Sequence, residues 1–227
     1  MVATDLSPAM LGVAAQRARR RGLRNLRFVE MDAEEPTLPE ARFDAVTCRL
    51  GLMFVADVRG AVARLATLVA PGGRLVTAVW GPASANPSIA LTAKTLTAFL
   101  DLAPAPPGTP GLFDLGRADV LATAFVDAGL SDVHQDRVAV DFAWPSVEAY
   151  VAHQRRGPLG GLTADEDPAR QAAAWEAVAA AAARLRSGRR LHLPGEVLVV
   201  SGGPRPARGR ALEGTAPSGG RFGGDLA

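Results

Sequence analysis

The stretch VATDLSPAML, residues 2–11, decides how the chain is read. Val2, Ala3 and Thr4 read as the end of a buried strand, and Asp5 follows at once. Ser7-Pro8 then opens a helix, because a serine side chain satisfies free first-turn amides and proline's fixed φ suits the first helical position. Apolar Met10, Leu11, Val13 and Ala14 recur at helical spacing, arginines take other positions, and Gly22 is the expected stop. LRFVEMDAEE (26–35) is a short strand around Phe28 and Val29 that ends at Asp32. FDAVTCRLG (43–51) reads as a further buried strand. Helical spacing returns with Val58, Ala61, Val62, Leu65, Leu68 and Val69; APGG (70–73) breaks it, and RLVTAVWG (74–81) is the next strand. This alternation predicts an α/β fold, a three-layer sandwich built on an open, mostly parallel sheet.

The remainder is less regular. NPSIALTAKTLTAFLDL (86–102) is a candidate helix, and APAPPGTPG (103–111) is a Pro/Gly linker. RADVLATAFVDAG (117–129) places Leu121, Ala124, Phe125 and Ala128 on one face. VHQDRVAVDFAW (133–144) alternates as a strand does, and SVEAYVAHQRR (146–156) reads as helix. An Ala-rich helix over 168–187 has Trp175, Val178, Ala182 and Leu185 as its stripe, and GEVLVVSG (195–202) is the last strand. One domain over 1–202 and a disordered Gly/Pro/Arg-rich tail over 203–227 are expected, because the tail has almost nothing to bury.

Composition narrows the function classes. The chain is 48% hydrophobic, with a formal charge of only +2. Arg205, Arg208, Arg210 and Arg221 against Glu213 and Asp225 account for that whole excess, so the folded part is near neutral and nucleic-acid binding is not favoured. RARRR (17–21) reads as a solvated helix face. Cys48 stands alone, which fits a reducing compartment such as the cytoplasm. No apolar run is long enough to span a membrane, and no signal-peptide pattern opens the chain.

In a parallel α/β sheet, ligands bind outside the carboxyl ends of the strands. Asp5 and Asp32 both lie at such ends. A carboxylate there accepts hydrogen bonds from ribose hydroxyls, and a second accepts from an adenine amino group while the Ala33 N–H donates to a ring nitrogen. Singly, each acid reads as a strand end or helix cap; together they point to a nucleoside pocket.

VATDLSPAML, VEMDAEE and FDAVTCRLGLMFVADVRGAVARLATLVAPGGRLVTAVWG resemble S-adenosylmethionine-dependent methyltransferases of the Rossmann-like type, most of all the ubiquinone/menaquinone-biosynthesis group. The likeness is dense from Val2 to Gly81, continues weakly through DVLATAFVDAGLSDV and ends at LPGEVLVVSG. It implies S-adenosylmethionine as cofactor and a small-molecule methyl acceptor. It implies that Asp5 binds the ribose hydroxyls, that Leu6 and Met10 flank the adenine, that Asp32 and Ala33 read it, and that Arg49 lines the cofactor pocket. Arg49 stands where the quinone enzymes often have serine, which suggests a contact to a carboxylate on cofactor or substrate. Asp44, Pro71, Gly72 and Gly73 match structural positions.

The family opens with a strand and a Gly-rich turn, roughly VLDVGCGTG, that wraps the methionine end of the cofactor; this sequence lacks both that first strand and its helix. The lost strand is central in the family, between those bearing Asp5 and Arg49. An incomplete sequence is the expectation, with two half-sheets that either stay apart or close on each other, and with poor cofactor binding by the chain as it stands. A non-catalytic interaction protein of the same fold is the alternative. A nucleotide-dependent oxidoreductase fits less well, for want of a G-x-G-x-x-G turn.

Other candidates are weaker. Cys48 reads as core filling. His134, His153 and His192 lack metal-ligand spacing, so no metal is assigned. His153 and Tyr150 share one helix and read either as a structural or exposed pair or as a base and an orienting group. Trp80 and Trp144 read equally as pocket wall and as core.

Overall fold

The computed structural model describes residues 1–38, 42–106, 109–117, 119–188 and 190–205. Strand β1 (Val2–Asp5) is followed by α1 (Pro8–Arg20) and β2 (Arg27–Glu30). Ser7 caps α1 by accepting the Met10 N–H at 3.3 Å. The helix closes where Gly22 takes a φ of +68° and the Leu23 N–H reaches back to the Ala18 carbonyl at 3.0 Å. Then come β3 (Phe43–Arg49), α2 (Val58–Thr67) and β4 (Val69–Trp80). The APGG turn lies inside β4. It shifts the β3–β4 register between Phe43↔Val69 and Ala45↔Arg74. Gly72 has a φ of +80°, and a Cβ on Gly73 would lie 2.7 Å from the Asp44 carbonyl oxygen. Glycine is therefore required at both positions, one for its dihedral and one for space.

The second half comprises α3 (Pro87–Phe99), α4 (Val120–Asp127), β5 (Leu130–Trp144), α5 (Val147–Arg155), α6 (Pro168–Ala183) and β6 (Leu191–Pro204). The final strand runs to Pro204, past the expected boundary at 202, because Gly203 and Pro204 stand opposite Ser131 and Leu130. Residues 206–227 of the expected tail lie outside the described residues.

The sheet corrects the sequence expectation: it is mixed, not mostly parallel. One sheet has the order β3-β4-β6-β5, and β1-β2 forms a separate two-stranded sheet. β1–β2 and β3–β4 are parallel, whereas β4–β6 and β5–β6 are antiparallel. The chain leaves β5 at Trp144 and returns at Leu191 directly opposite, with α5 and α6 looped out between them. A return beside the point of departure forces the strand to run back, as in a hairpin. β1 and β3 do not pair; of the two expected outcomes for the half-sheets, separation is the one observed.

Two apolar clusters hold the structure together. The first joins α2 and α4 to one face of the four-stranded sheet through Val62, Leu65, Leu75, Val79, Phe125 and Leu198. The second gathers Leu96, Tyr150, Trp175, Val178, Leu191 and Leu193 from α3, α5, α6 and the start of β6. Alternation along β6 explains the division. Leu191 and Leu193 point to one face and Leu198 and Val200 to the other, so a single strand serves both clusters. The stripe of α6 is buried at Trp175, Val178 and Ala182, but Leu185 lies beyond the helix end and is exposed. β1 and β3, expected to be buried, are largely half-buried or exposed, because each has a strand on one side only.

Candidate functional site

Asp5 ends β1, and its register partner is Glu30, the last residue of β2. The Met31 N–H donates to the Asp5 carbonyl at 3.1 Å, which prolongs the pairing by one step. Asp32 follows immediately. Both acids therefore leave the carboxyl edge of the same parallel pair. Each side chain is exposed and accepts an amide from its own turn: Ser7 N–H to Asp5 Oδ1 at 2.8 Å, and Glu34 N–H to Asp32 Oδ1 at 2.8 Å. These bonds orient the carboxylates and use one oxygen of each. Leu6 and Met10 present apolar side chains to solvent beside this edge, 65% and 58% exposed. Ala33 is half-buried against the first apolar cluster, and Glu34 Oε1 accepts the Asp57 N–H at 3.1 Å. The loop after β2 is thereby tied to the start of α2.

Arg49 belongs to the other sheet. It ends β3 opposite Ala78, is exposed, and precedes Leu50, whose φ of +56° turns the chain away from the strand. Asp5, Leu6, Met10 and Asp32 thus share one sheet edge, and Arg49 stands on a separate sheet.

A cavity of about 110 Å³ opens at the end of β4. Trp80, Phe142, Trp144, Leu112, Leu159 and His153 are among the residues lining it. The Trp80 and Phe142 rings are 6.0 Å apart, Phe142 stacks on Trp144 at 5.7 Å, and His153 stands 5.9 Å from Trp144. The sequence reading had Trp80, Trp144 and His153 as separate candidates and missed Phe142. The available signal was its place two residues before Trp144 on an alternating strand, which puts both rings on one face. Tyr150 is withdrawn from this cavity. It is fully buried, its hydroxyl donates to the Ser88 carbonyl at 2.5 Å and lies 2.6 Å from Thr92 Oγ1, and burial pushes its ionisation up. It is a packing residue rather than a base.

A larger, open groove of about 510 Å³ runs between α2 and α4, beside Asp57, Arg59, Asp119 and Thr123. None of the six cofactor candidates lines either cavity. Cys48 is half-buried, and desolvation pushes its thiol up, as suits a core position. His134 and His192 form exposed pairs with Asp132 and Asp141 at 2.8 and 3.2 Å. Among the described residues, no group of three or more His, Cys, Asp or Glu is placed to hold a metal ion. No helix among them is long and apolar enough to cross a membrane.

Comparison with known proteins gives this geometry a context. Residues 1–77 match the family Methyltransf_11, described as a methyltransferase domain. The demethylmenaquinone methyltransferase of Thermus thermophilus is 42% identical over 82 residues, 36% of this chain and 37% of that protein. Aklanonic acid methyltransferase DauC of Streptomyces sp. strain C5 is 41% identical over 71 residues, 31% of this chain and 32% of that one. The chain therefore spans about a third of the length of the curated relatives it matches. The crystal structure of the YcgJ protein from Bacillus subtilis aligns with 91% of this chain and 82% of its own at a TM-score of 0.56 and 18% identity, a likeness of fold.

Proposed function

We propose that this chain, whose residues 1–77 belong to the S-adenosylmethionine-dependent methyltransferase family, contributes the adenosine-binding edge of a small-molecule methyltransferase. The observation that carries the reading is the pair Asp5 and Asp32, leaving one carboxyl edge of two adjacent parallel strands inside the matched stretch. The residues present fit the adenosine half of the cofactor. Each acid keeps an oxygen beyond its turn hydrogen bond, suited to ribose hydroxyls at Asp5 and to the adenine amino group at Asp32. Exposed Leu6 and Met10 supply the apolar surface for a flat base, and the Ala33 amide supplies a donor. Arg49 offers a guanidinium to a carboxylate.

When bound, the cofactor supplies an activated methyl group. The contribution of the chain's residues is to fix its adenosine end and to hold an acceptor near it, since methyl transfer profits most from orientation. The lone Cys48 fits a reducing compartment such as the cytoplasm.

The separation of the β1–β2 sheet from the larger sheet favours one second reading, a non-catalytic interaction protein of the same fold. Calorimetry with S-adenosylhomocysteine distinguishes the two. Saturable binding, weaker than micromolar and lost in the Asp5→Ala/Asp32→Ala double variant, is expected of the methyltransferase reading. No heat at any attainable concentration is the result of an interaction protein.

A further inference from the structure

We infer that the last turns of α1 and the turn after it, Arg17 to Arg24, dock the protein on an anionic lipid bilayer. The inference goes beyond the methyltransferase reading and does not rest on it. Charge comes first. Residues 6–29 carry six arginines and no acidic residue. The whole chain has a formal charge of +2, so the remainder is net negative by four. Asp5 and Glu30, the acids that bracket this stretch, end β1 and β2 at the carboxyl edge. α1 runs back from that edge, and the turn after it lies by the strand starts, where Arg27 stands opposite Val2. Positive and negative charge therefore sit at opposite edges of β1–α1–β2.

Local structure turns the arginines outward. Leu11, Ala14, Ala15 and Ala18 form the covered face of α1. Met10 and Val13, read with Leu11 and Ala14 as one apolar stripe, face solvent instead. Val13, Arg17 and Arg20 stand at i, i+4 and i+7, and all three are exposed on one face. Arg21 and Arg24 follow in the turn, also exposed, with Leu23 between them at 48% exposure. Among the described residues, none of Arg17, Arg19, Arg20, Arg21 and Arg24 has an ion-pair partner, whereas Arg59, Arg64, Arg74, Arg117, Arg137 and Arg170 each meet a carboxylate. The helix dipole favours cations in its last turn. It does not extend to Arg24 beyond the turn, and it does not account for the exposure of Val13 and Leu23.

The mixture of residue types selects the partner. Arginines alone suit any polyanion. A bilayer interface also takes up apolar side chains set among basic ones, and Val13 and Leu23 supply these. A single-stranded nucleic acid is met with aromatic rings on which bases stack, and residues 6–27 contain none. Each basic residue held near an anionic membrane is worth about fivefold in partitioning, so a cluster binds where one residue does not. The solvated face expected of residues 17–21 is, on this inference, a face for lipid headgroups. Docking by it leaves the carboxyl edge, with Asp5 and Asp32, turned to water.

Sedimentation of the full 227-residue chain with sucrose-loaded vesicles tests the inference. Binding to equimolar phosphatidylglycerol and phosphatidylcholine at about 0.1 M salt is expected, with none to phosphatidylcholine alone and release at about 0.5 M salt. Arg20→Ala/Arg21→Ala/Arg24→Ala lowers the partition coefficient roughly a hundredfold, at about fivefold per charge. Its melting temperature is unchanged, because all three side chains are exposed. The matching triple lysine variant keeps binding, which separates lost charge from lost fold. Leu23→Ser lowers the coefficient severalfold and leaves its salt dependence as it was. Arg208→Ala/Arg210→Ala/Arg221→Ala, in the C-terminal tail, is the control for basic residues elsewhere and keeps most of the binding. No binding to the anionic vesicles overturns the inference outright. Binding that survives the α1 triple alanine variant, or that is lost equally in the tail variant, overturns α1 as the docking element. An undiminished coefficient in Leu23→Ser, or displacement from the vesicles by a short DNA duplex, overturns the bilayer as the partner.

Discussion

Two strand–helix–strand units follow one another in the part of the chain that matches the methyltransferase family, and they are packed very differently. In β1–α1–β2 the single buried residue is Ala18. In β3–α2–β4 the residues Ala61, Val62, Leu65, Val69, Leu75 and Val79 are all buried. Both units obey the same local pattern, an apolar stripe on a helix between two parallel strands. The difference lies in their neighbours. β4 is hydrogen-bonded on both sides, by β3 and β6, and α4 joins α2 over its buried face. β1 has β2 on one side and no other strand of the described residues hydrogen-bonded to it. Periodicity says which face wants cover; it does not supply the cover.

The largest expected effect sets the two units against each other directly. Leu65→Ala, in the core of the second unit, is expected to cost about 2–5 kcal/mol in urea unfolding, the usual range for a buried leucine. Val13→Ala, 45% exposed on α1, is expected to stay within about 0.5 kcal/mol of wild type. Equal losses at the two positions would mean that α1 is covered in solution. Next is Asn86, buried at the start of α3, which donates to the Pro82 and Glu196 carbonyls at 3.2 and 3.1 Å and accepts the Glu196 N–H at 3.0 Å. Asn86→Ala strands the Glu196 N–H, while the Glu196 carbonyl keeps the Gly81 N–H at 2.9 Å, and is expected to cost about 1–3 kcal/mol, read from the same unfolding curves.

The sparsely packed unit has its own test in binding. Asp5→Ala is expected to weaken S-adenosylhomocysteine binding by about 1–3 kcal/mol, the worth of a charged hydrogen-bond partner, with little change in melting temperature. A large stability loss without a binding loss would make Asp5 a structural turn residue. The smallest effect concerns Asp132 on β5, which pairs with Arg74 of the packed unit's β4. Hydrogen bonds from Arg74, then from His134, hold its carboxyl below the ordinary value. A depressed carboxylate adds stability above its unfolded pKa and loses it as pH falls through the folded one. An NMR titration of Arg74→Gln should move Asp132 back up towards the ordinary value, while a midpoint unchanged from wild type would remove Arg74 as the cause.

Much of the candidate site was legible because its determinants are local. An acid at a strand's carboxyl end, a serine cap and a proline at the first helical position are written within a few residues, and Asp5, Ser7 and Pro8 stand where that pattern puts them. The aromatic-lined cavity was not legible as a unit. Trp80 and Trp144 meet only because β6 lies between β4 and β5, and His153 joins them from a helix looped out of the β5–β6 pair. Tyr150 and His153 sit three positions apart on one helix, which puts them on neighbouring faces. Whether each turned to the core or to a cavity depended on α3, whose Ser88 carbonyl and Thr92 hydroxyl engage Tyr150.

By itself the sequence determined the elements that form and the order in which they come, because caps, breakers and apolar periods act over one or two turns of chain. It also carried the family likeness of residues 1–77. The direction of the last strands was a tertiary decision. An alternating run such as residues 133–144 pairs equally well in either sense, and the path of the intervening helices back to Leu191, beside Trp144, selected the antiparallel one. Burial was decided at the same level: the stripe on α1 and the stripe on α2 read alike, and only the strands and helices that reach α2 from elsewhere in the chain take it out of water.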